Sequence, residues 1–242
     1  MTSRLKLYHT LGKLEACIDE AGLGPLAGPA FCAVVIWNPF LETIWENTSR
    51  KKYISNMLDK IRDSKKMTPD DRYNLVNFIK DNAIDYQIEH IGVPEIDKYN
   101  IRNANFLCMH RALSKLRVVP EHILIDGNSF KPYFPDENNK SYQIPHTTIV
   151  KGDDKYIGIA AASILAKTSR DRHILDLVDK NPVLDRYGWE QNFGYSTSKH
   201  IDAIKKFGIT EHHRLTFGVC KTFVKAQTIL EIKEIKEKNE NE

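Results

Sequence analysis

The sequence has no apolar run long enough to cross a membrane as a helix. Its longest apolar runs, residues 30–37 and 157–166, are about half of the roughly 20 residues that such a helix needs. Residues 1–13 lack the apolar stretch and the small-residue cleavage site of a secretory signal, so we interpret them as a short leader. We therefore expect an intracellular, cytoplasmic protein with no membrane partner.

Cysteine is scarce, and neither sign of charge dominates. The four cysteines form no Cys-x-x-Cys pair, and no histidine stands at metal-ligand spacing, so neither a zinc site nor a disulfide framework is indicated. The net charge of +3, from 35 basic and 32 acidic residues, is too small to indicate a nucleic-acid partner, so such a partner would need a local patch. A hydrophobic share of 41% excludes a disordered chain.

The hydrophobic pattern alternates between predicted strands and predicted helices. We predict strands at 14–18, 30–37, 84–88, 122–126 and 147–150, and helices at 68–80, 99–116, from 160, from 196 and from 219. Residues 38–66 are expected to form an irregular connection with a short helix, and residues 181–195 a loop. The alternation predicts one α/β domain with a mixed central sheet flanked by helices, residues 1–200. A helical C-terminal extension with a charged tail, residues 201–242, would follow.

Acidic residues stand where three of the predicted strands end. They are Asp19 with Glu20, Asp126, and Asp153. The carboxyl ends of strands in an open α/β sheet are where sites assemble, and carboxylates that meet there repel one another unless a divalent cation compensates their charge. An oxygen-only ligand set favours Mg²⁺ or Mn²⁺, and two such ions can promote phosphodiester hydrolysis. A single acid at a strand end is more often a solvated turn residue or a helix cap, so spacing alone does not establish the site.

The motifs around these acids are more specific than their spacing. Residues 18–29, Ile-Asp-Glu-Ala-Gly-Leu-Gly-Pro-Leu-Ala-Gly-Pro, closely resemble the opening signature of ribonuclease HII, the type 2 ribonucleases H. The later motifs of that family have similar counterparts in this chain, in the same order. They lie at residues 63–66, 124–127, 151–153 with 160–167, 194–200 and 213–217. This resemblance implies a ribonuclease H-like fold and cleavage of the RNA strand of RNA/DNA hybrids. It also implies cutting 5′ of a ribonucleotide embedded in duplex DNA, leaving 5′-phosphate and 3′-hydroxyl ends.

The resemblance also implies a role for each matching residue. Asp19 would bridge two ions, Glu20 and Asp126 would hold the ion nearer the leaving group, and Asp153, with Asp154 as its rival, would hold the other. Substrate contacts would come from the backbone of Gly22, Leu23 and Gly24, from Tyr195 on the sugar, from Lys65, Lys167 and Arg214 on phosphates, and from the Ser163 hydroxyl. His200 and His213 would donate to phosphate or be satisfied in packing, with His200 the better candidate.

One departure from the family pattern leaves alternatives open. The family usually has Gly-Arg-Gly in its first loop, whereas this chain has Gly22-Leu23-Gly24 and so lacks a cation there. A hybrid-binding module without catalysis and a DNA-cutting relative of the same superfold are the competing interpretations.

The C-terminal tail has no sign of a sliding-clamp peptide, because residues 227–230 lack the paired aromatics of such a peptide. We therefore expect no clamp binding through the tail. We also expect a monomeric enzyme.

Overall fold

A mixed five-stranded sheet forms the centre of the computed structural model, which describes residues 5–62, 68–136 and 141–227. Its strands are β1 (Glu15–Ala21), β2 (Ala30–Ile36), β3 (Asp85–Ile91), β4 (His122–Asp126) and β5 (His146–Ile149), in the order β3-β2-β1-β4-β5. β1 pairs antiparallel with β2 and parallel with β4, and β4 pairs parallel with β5. The predicted fold class, a mixed sheet with flanking helices, is confirmed.

The helices lie between and after these strands. They are α1 (Leu41–Trp45), α2 (Lys51–Arg62), α3 (Pro69–Asn82), α4 (Val93–Tyr99), α5 (Ile101–Ser114), α6 (Ile157–Lys180), α7 (Trp189–Asn192) and α8 (Ser198–Phe207), and residues 218–227 are also helical. In the part of the chain that the structure describes, 3-10 segments cover Gly152–Asp154 and Pro182–Tyr187. Within the described ranges, no helix has the length and apolarity required to traverse a lipid bilayer.

Local sequence signals account for where several helices begin and end. The Thr68 hydroxyl accepts a hydrogen bond from the Asp71 N–H and Pro69 occupies the first turn, as predicted for α3. Thr197 rather than Ser196 caps α8. The helix predicted over 99–116 is interrupted at Asn100, whose φ of 63° places it outside helical geometry.

Three other expectations need correction. Residues 38–62 form two helices, α1 and α2, rather than an irregular connection with one short helix. Residues 181–195 contain a 3-10 segment and α7 rather than only a loop. β1 continues to Ala21, so Asp19 and Glu20 lie inside the strand and not beyond its end. The pairing of β1 with β2 extends to Ala21 opposite Phe31, which holds both acids in extended backbone.

The chain divides into two compact units. Among the described residues, the first contains those up to Ala21, Ala30–His90 and Asn105–Arg170, and the second contains Gly22–Pro29, Ile91–Ala104 and those from Asp171 onward. This division differs from the expected boundary after residue 200 between the α/β domain and the C-terminal extension. That boundary stays a prediction.

Each unit has its own apolar core. In the first unit, every residue of β2 is buried, as expected for an apolar strand in the middle of a sheet, and it packs with residues of α2, α3 and α6. In the second unit, Trp189, Tyr187 and Ile204 are fully or almost fully buried. The first core therefore supports the strands that carry the acids, and the second supports the loop of residues 22–29.

Candidate active site

Three of the four predicted acids interact electrostatically in the first unit. Asp19 is almost completely buried, and its Oδ1 accepts a hydrogen bond of 2.7 Å from the Glu20 N–H. Burial raises the pKa of Asp19 to about 8, and the charges of Glu20 and Asp126 contribute to this rise against the opposing hydrogen bond from Ser163. We call Asp19, Glu20 and Asp126 the carboxylate cluster. The charge of Asp126 opposes the ionisation of both Asp19 and Glu20.

The ionised form of Glu20 is disfavoured in the same way as that of Asp19. Burial and the charge of Asp126 raise its pKa to about 7, while a hydrogen bond from the Asn105 side chain lowers it. Its Oε2 atom and the Oδ1 atom of Asn105 are buried without a hydrogen-bond partner in the described part of the chain. Buried oxygens normally have partners. Two unsatisfied oxygens beside a cluster of negative charge therefore indicate a place suited to a cation.

Asp126 is held at the end of β4 by the loop that carries Asp153. The N–H of Gly152 donates a hydrogen bond of 2.6 Å to Asp126 Oδ1. Lys151 has a left-handed φ of 55°, which turns the chain into the 3-10 segment where Asp153 lies. A Cβ atom on Gly152 would lie 2.6 Å from Ile159 Cδ1 and 3.3 Å from Asp126 Oδ1, so a larger residue there would displace the buried Ile159 side chain and crowd Asp126. Asp153 thus follows directly on a residue bonded to the cluster, although its role as a metal ligand stays a prediction.

The donor chemistry of this region fits a hard divalent cation. All the atoms concerned are carboxylate or amide oxygens, which are the ligands of Mg²⁺ and related ions. Within residues 5–62, 68–136 and 141–227, however, no group of three or more Asp, Glu, His or Cys side chains is already arranged to hold a metal ion. The unsatisfied oxygens and the raised pKa values support the fit, and the ligand set itself stays a prediction.

In the second unit, Arg214 lies underneath the glycine loop, residues 22–29. It is fully buried, and its guanidinium donates to the carbonyl oxygens of Gly22 at 2.7 Å, Leu23 at 3.0 Å and Gly28 at 2.9 Å. Three donors of Arg214 therefore bind backbone carbonyls, and its predicted contact with phosphate stays a prediction. Arg214 holds the backbone of the glycine loop through these three hydrogen bonds.

His200 is also placed differently from its prediction. It is fully buried, and its ring nitrogens face the Tyr195 carbonyl, the Trp189 indole and His213. Direct donation from His200 to phosphate is therefore wrong for this structure, and the packing alternative holds for both histidines. Burial lowers the pKa of each.

Tyr195 is the exposed member of this region. Its side chain is 40% exposed, and its Cε1 atom lies 4.0 Å from the position of a Cβ atom built on Gly24. The glycine loop is tied to the chain beside Tyr195, because the Leu26 N–H donates to the Gly194 carbonyl at 2.8 Å. The ring of Tyr195 and the glycine loop are thus neighbours, as a shared recognition role requires.

The remaining predicted contacts have mixed outcomes. Ser163 and Lys167 lie on α6, both half-buried, and Ser163 contributes a hydrogen bond to Asp19 rather than being a free surface hydroxyl. Lys65 lies outside the described residues. Asn105 was not among the predicted site residues, and its signal in the sequence is a polar residue within the otherwise apolar run 104–109 of α5.

Comparison with known proteins identifies the family of this chain. The sequence profile of the family described as Ribonuclease HII matches residues 16–220. The chain belongs to the ribonuclease HII family. Ribonuclease HII of Parabacteroides distasonis is 46% identical to this chain over 210 residues, which cover 87% of this chain and 92% of that protein.

Solved structures agree with the fold. Ribonuclease H2 from Pyrococcus horikoshii OT3 superposes with a TM-score of 0.65 at 27% identity, covering 86% of this chain and 96% of that one. Bst-RNase HIII in complex with Mn²⁺ has a TM-score of 0.62 at 18% identity, with coverages of 90% and 71%. As a ribonuclease HII, this protein is an endonuclease that hydrolyses the RNA strand of RNA/DNA hybrids. Ribonucleases H generally use divalent metal ions for this reaction.

Proposed function

We propose that this ribonuclease HII also cuts duplex DNA on the 5′ side of an embedded ribonucleotide and does so with two divalent ions, Mg²⁺ or Mn²⁺. The observation that carries the proposal is the carboxylate cluster, where burial and mutual repulsion raise the pKa of Asp19 to about 8 and that of Glu20 to about 7. Such a cluster destabilises the ionised protein unless cations compensate the charge. A module that only binds hybrids has no use for this arrangement.

Asp19, Glu20, Asp126 and Asp153 would hold the ions, as the family motifs imply. When bound, the ions would activate the attacking water and stabilise the leaving 3′ oxygen, which yields 5′-phosphate and 3′-hydroxyl ends. The protein orients its own side chains for this task. The N–H groups of Glu20 and Gly152 hold Asp19 and Asp126, and the Asn105 amide holds Glu20.

The glycine loop supports recognition of the ribose. Discrimination between RNA and DNA requires a group that senses the 2′-hydroxyl, because the phosphates are identical. The carbonyls of Gly22 and Leu23 point to Arg214, and in a trans peptide the following N–H points the opposite way. The N–H groups of Leu23 and Gly24 therefore face away from Arg214, and neither has a hydrogen-bond partner among the described residues. They are suited to contact a ribonucleotide through hydrogen bonds, while Tyr195 would pack on the adjacent sugar.

A cleavage assay with three duplexes tests the proposal. The duplexes are DNA with one embedded ribonucleotide, an RNA/DNA hybrid and an all-DNA control, each labelled and incubated with Mg²⁺, with Mn²⁺ or with a chelator. We expect cutting 5′ of the ribonucleotide and within the RNA strand, dependent on the ion, and an intact all-DNA duplex. Binding without cutting would support the inactive module, and cutting of all-DNA would support the DNA-cutting relative.

We further propose that the enzyme acts as a monomer in the cytoplasm and does not bind a sliding clamp through its tail. Residues 228–242 lie outside the described residues, so this proposal depends on the absence of paired aromatics in the sequence. A sliding-clamp pull-down that retains the full chain and loses it after deletion of residues 225–242 would contradict the clamp proposal, and light scattering would test the monomer.

A further inference from the structure

A chain of hydrogen bonds with a defined direction runs through the buried core of the second unit to the backbone of Tyr195. His200 and His213 are both fully buried, and their Nε2 atoms lie 3.1 Å apart. Trp189 and Tyr187 pack against both imidazole rings, with centroid distances between 4.9 Å and 5.9 Å. The proposed function uses neither histidine as an acid or a base.

The partners of the two rings determine where their hydrogens lie. His200 Nδ1 is 2.9 Å from the Tyr195 carbonyl, which can only accept, so Nδ1 carries a hydrogen. In a neutral ring, Nε2 of His200 is then an acceptor, and it receives the Trp189 indole N–H at 3.1 Å. His213 Nδ1 accepts the Thr210 N–H at 2.9 Å, so Nε2 of His213 carries a hydrogen and donates to Nε2 of His200.

Every donor in this series points the same way. The series starts at the Thr210 N–H, passes through His213 and His200, and ends on the Tyr195 carbonyl. A hydrogen bond that ends on the backbone of residue 195 restrains the peptide from which the Tyr195 side chain extends. The next residue after His213 is Arg214, which holds the carbonyls of the glycine loop. One short segment, residues 210–214, thus fixes both recognition elements of the second unit.

We infer that His200 is a positioning residue: its Nδ1–H, bonded to the Tyr195 carbonyl, holds the Tyr195 ring beside Gly24 and thereby sets the preference for ribonucleotides embedded in DNA. The inference rests on the proposed function, in which Tyr195 packs on the sugar next to the cut. His200 contacts no substrate, because it is fully buried. It acts through the orientation of Tyr195 alone.

Two amide substitutions at residue 200 separate the two halves of the ring. In His200→Asn, the side-chain NH₂ takes the place of Nδ1 and can still donate to the Tyr195 carbonyl. In His200→Gln, the longer side chain places its amide oxygen near Nε2, where it accepts from Trp189 and His213. The Tyr195 carbonyl then loses its side-chain donor and keeps only the Thr197 N–H, at 2.9 Å. Both variants lose an aromatic ring, so they share that packing cost. They are reciprocal in their hydrogen bonds, because His200→Asn keeps the donor to the Tyr195 carbonyl and loses the acceptor for Trp189 and His213, whereas His200→Gln does the reverse. A ratio lowered only in His200→Gln therefore assigns the effect to the bond with residue 195.

The measurement is kcat and KM for the duplex with one ribonucleotide and for the RNA/DNA hybrid, with the ratio of the two kcat/KM values as the readout. We expect His200→Gln to lower this ratio about tenfold, which is the fold-change for loss of one hydrogen bond of typical strength. His200→Asn should stay within about threefold of the unsubstituted enzyme. If His200→Gln does not fold, His200→Phe removes the same Nδ1–H and keeps an aromatic ring, and it should lower the ratio similarly.

A general loss of structure would lower kcat/KM for both duplexes equally and leave the ratio unchanged, which would overturn the inference. Equal ratios for the Asn and Gln variants would overturn it as well. Tyr195→Ala tests the proposed function separately. If Tyr195→Ala leaves the ratio unchanged, the role of Tyr195 itself fails. If Tyr195→Ala lowers the ratio and His200→Gln does not, only the positioning role of His200 fails.

Discussion

Replacing Asp19 by asparagine should stabilise the metal-free protein, although it removes an acid that the proposed mechanism needs. The structure raises the pKa of this carboxyl from 3.8 to about 8, chiefly because Asp19 is buried. Each tenfold change in a protonation equilibrium corresponds to about 1.4 kcal/mol. At pH 7 the folded chain must keep Asp19 protonated while the unfolded chain would ionise it, a difference of roughly 4 kcal/mol in favour of unfolding.

The sign of the pH dependence follows from the direction of this shift. An acid with a raised pKa in the folded state opposes folding only where the unfolded chain ionises it. Its contribution is therefore absent below pH 4, grows as the pH rises from about 4 to about 8, and is constant above that. The unfolding free energy of Asp19→Asn minus that of the unsubstituted chain should rise over the same interval. Groups outside the carboxylate cluster titrate alike in both proteins and cancel in the difference.

Thermal unfolding in a chelator at pH 5 and pH 8 measures this effect. The amide oxygen of the new side chain can keep the bond from the Glu20 N–H, so we expect a gain of roughly 2 to 4 kcal/mol at pH 8, or a Tm increase of at least about 4 °C for a chain of this size. Mn²⁺ should raise the Tm of the unsubstituted protein and raise that of Asp19→Asn less, since binding stabilises only a folded state that binds the ion.

The matched control is Asp59→Asn, because Asp59 is an exposed acid on α2 in the same unit. It should change the Tm by no more than a degree or two at either pH. An Asp19→Asn variant that is no more stable than the unsubstituted protein at pH 8 in chelator would contradict the burial effect. So would a difference between the two proteins that is equal at pH 5 and pH 8.

Three further predictions concern other parts of the molecule. Gly152→Ala should lower the unfolding free energy by about 1–3 kcal/mol and activity at least tenfold, because its Cβ would lie 2.6 Å from Ile159 Cδ1; unchanged kcat would contradict this. Leu23→Arg should tighten hybrid binding and steepen its salt dependence by about one counterion, and unchanged anisotropy-measured affinity at low salt would count against it. Asp85→Asn should destabilise the chain by about 2–3 kcal/mol at pH 7, because the buried carboxylate accepts from the backbone N–H and the guanidinium of Arg117. These hydrogen bonds lower the pKa of Asp85 although burial opposes them, so the loss should shrink as the pH falls below 4 in urea titrations.

The fold class was predictable from the sequence because the apolar segments are short and distinct. The run at residues 30–37 was predicted as a strand, and it is β2, buried throughout. The start of α3 was predictable because a hydroxyl cap, a proline and two acids occur together at residues 68–71. The break at Asn100 was not predictable, because periodicity continues across it and a single left-handed residue leaves no trace in the hydrophobic pattern.

The candidate site, like the fold, was only partly predictable from the sequence. Asp19, Glu20 and Asp126 were identifiable from motifs, and their charges interact in the structure. Motif membership could not show that Arg214 is bonded to loop carbonyls and His200 to the Tyr195 carbonyl. A basic residue in a motif has the same letter whether its partner is a phosphate or a backbone oxygen.

The order of residue types along the chain was enough to identify the family, the alternation of strands and helices, and the oxygen-rich character of the acidic motifs. Which of those side chains are buried, and what each one contacts, became known only from the folded arrangement. Burial and hydrogen-bond partners depend on residues far apart in the chain, such as Gly22 and Arg214. A local pattern carries no information about how such distant segments meet.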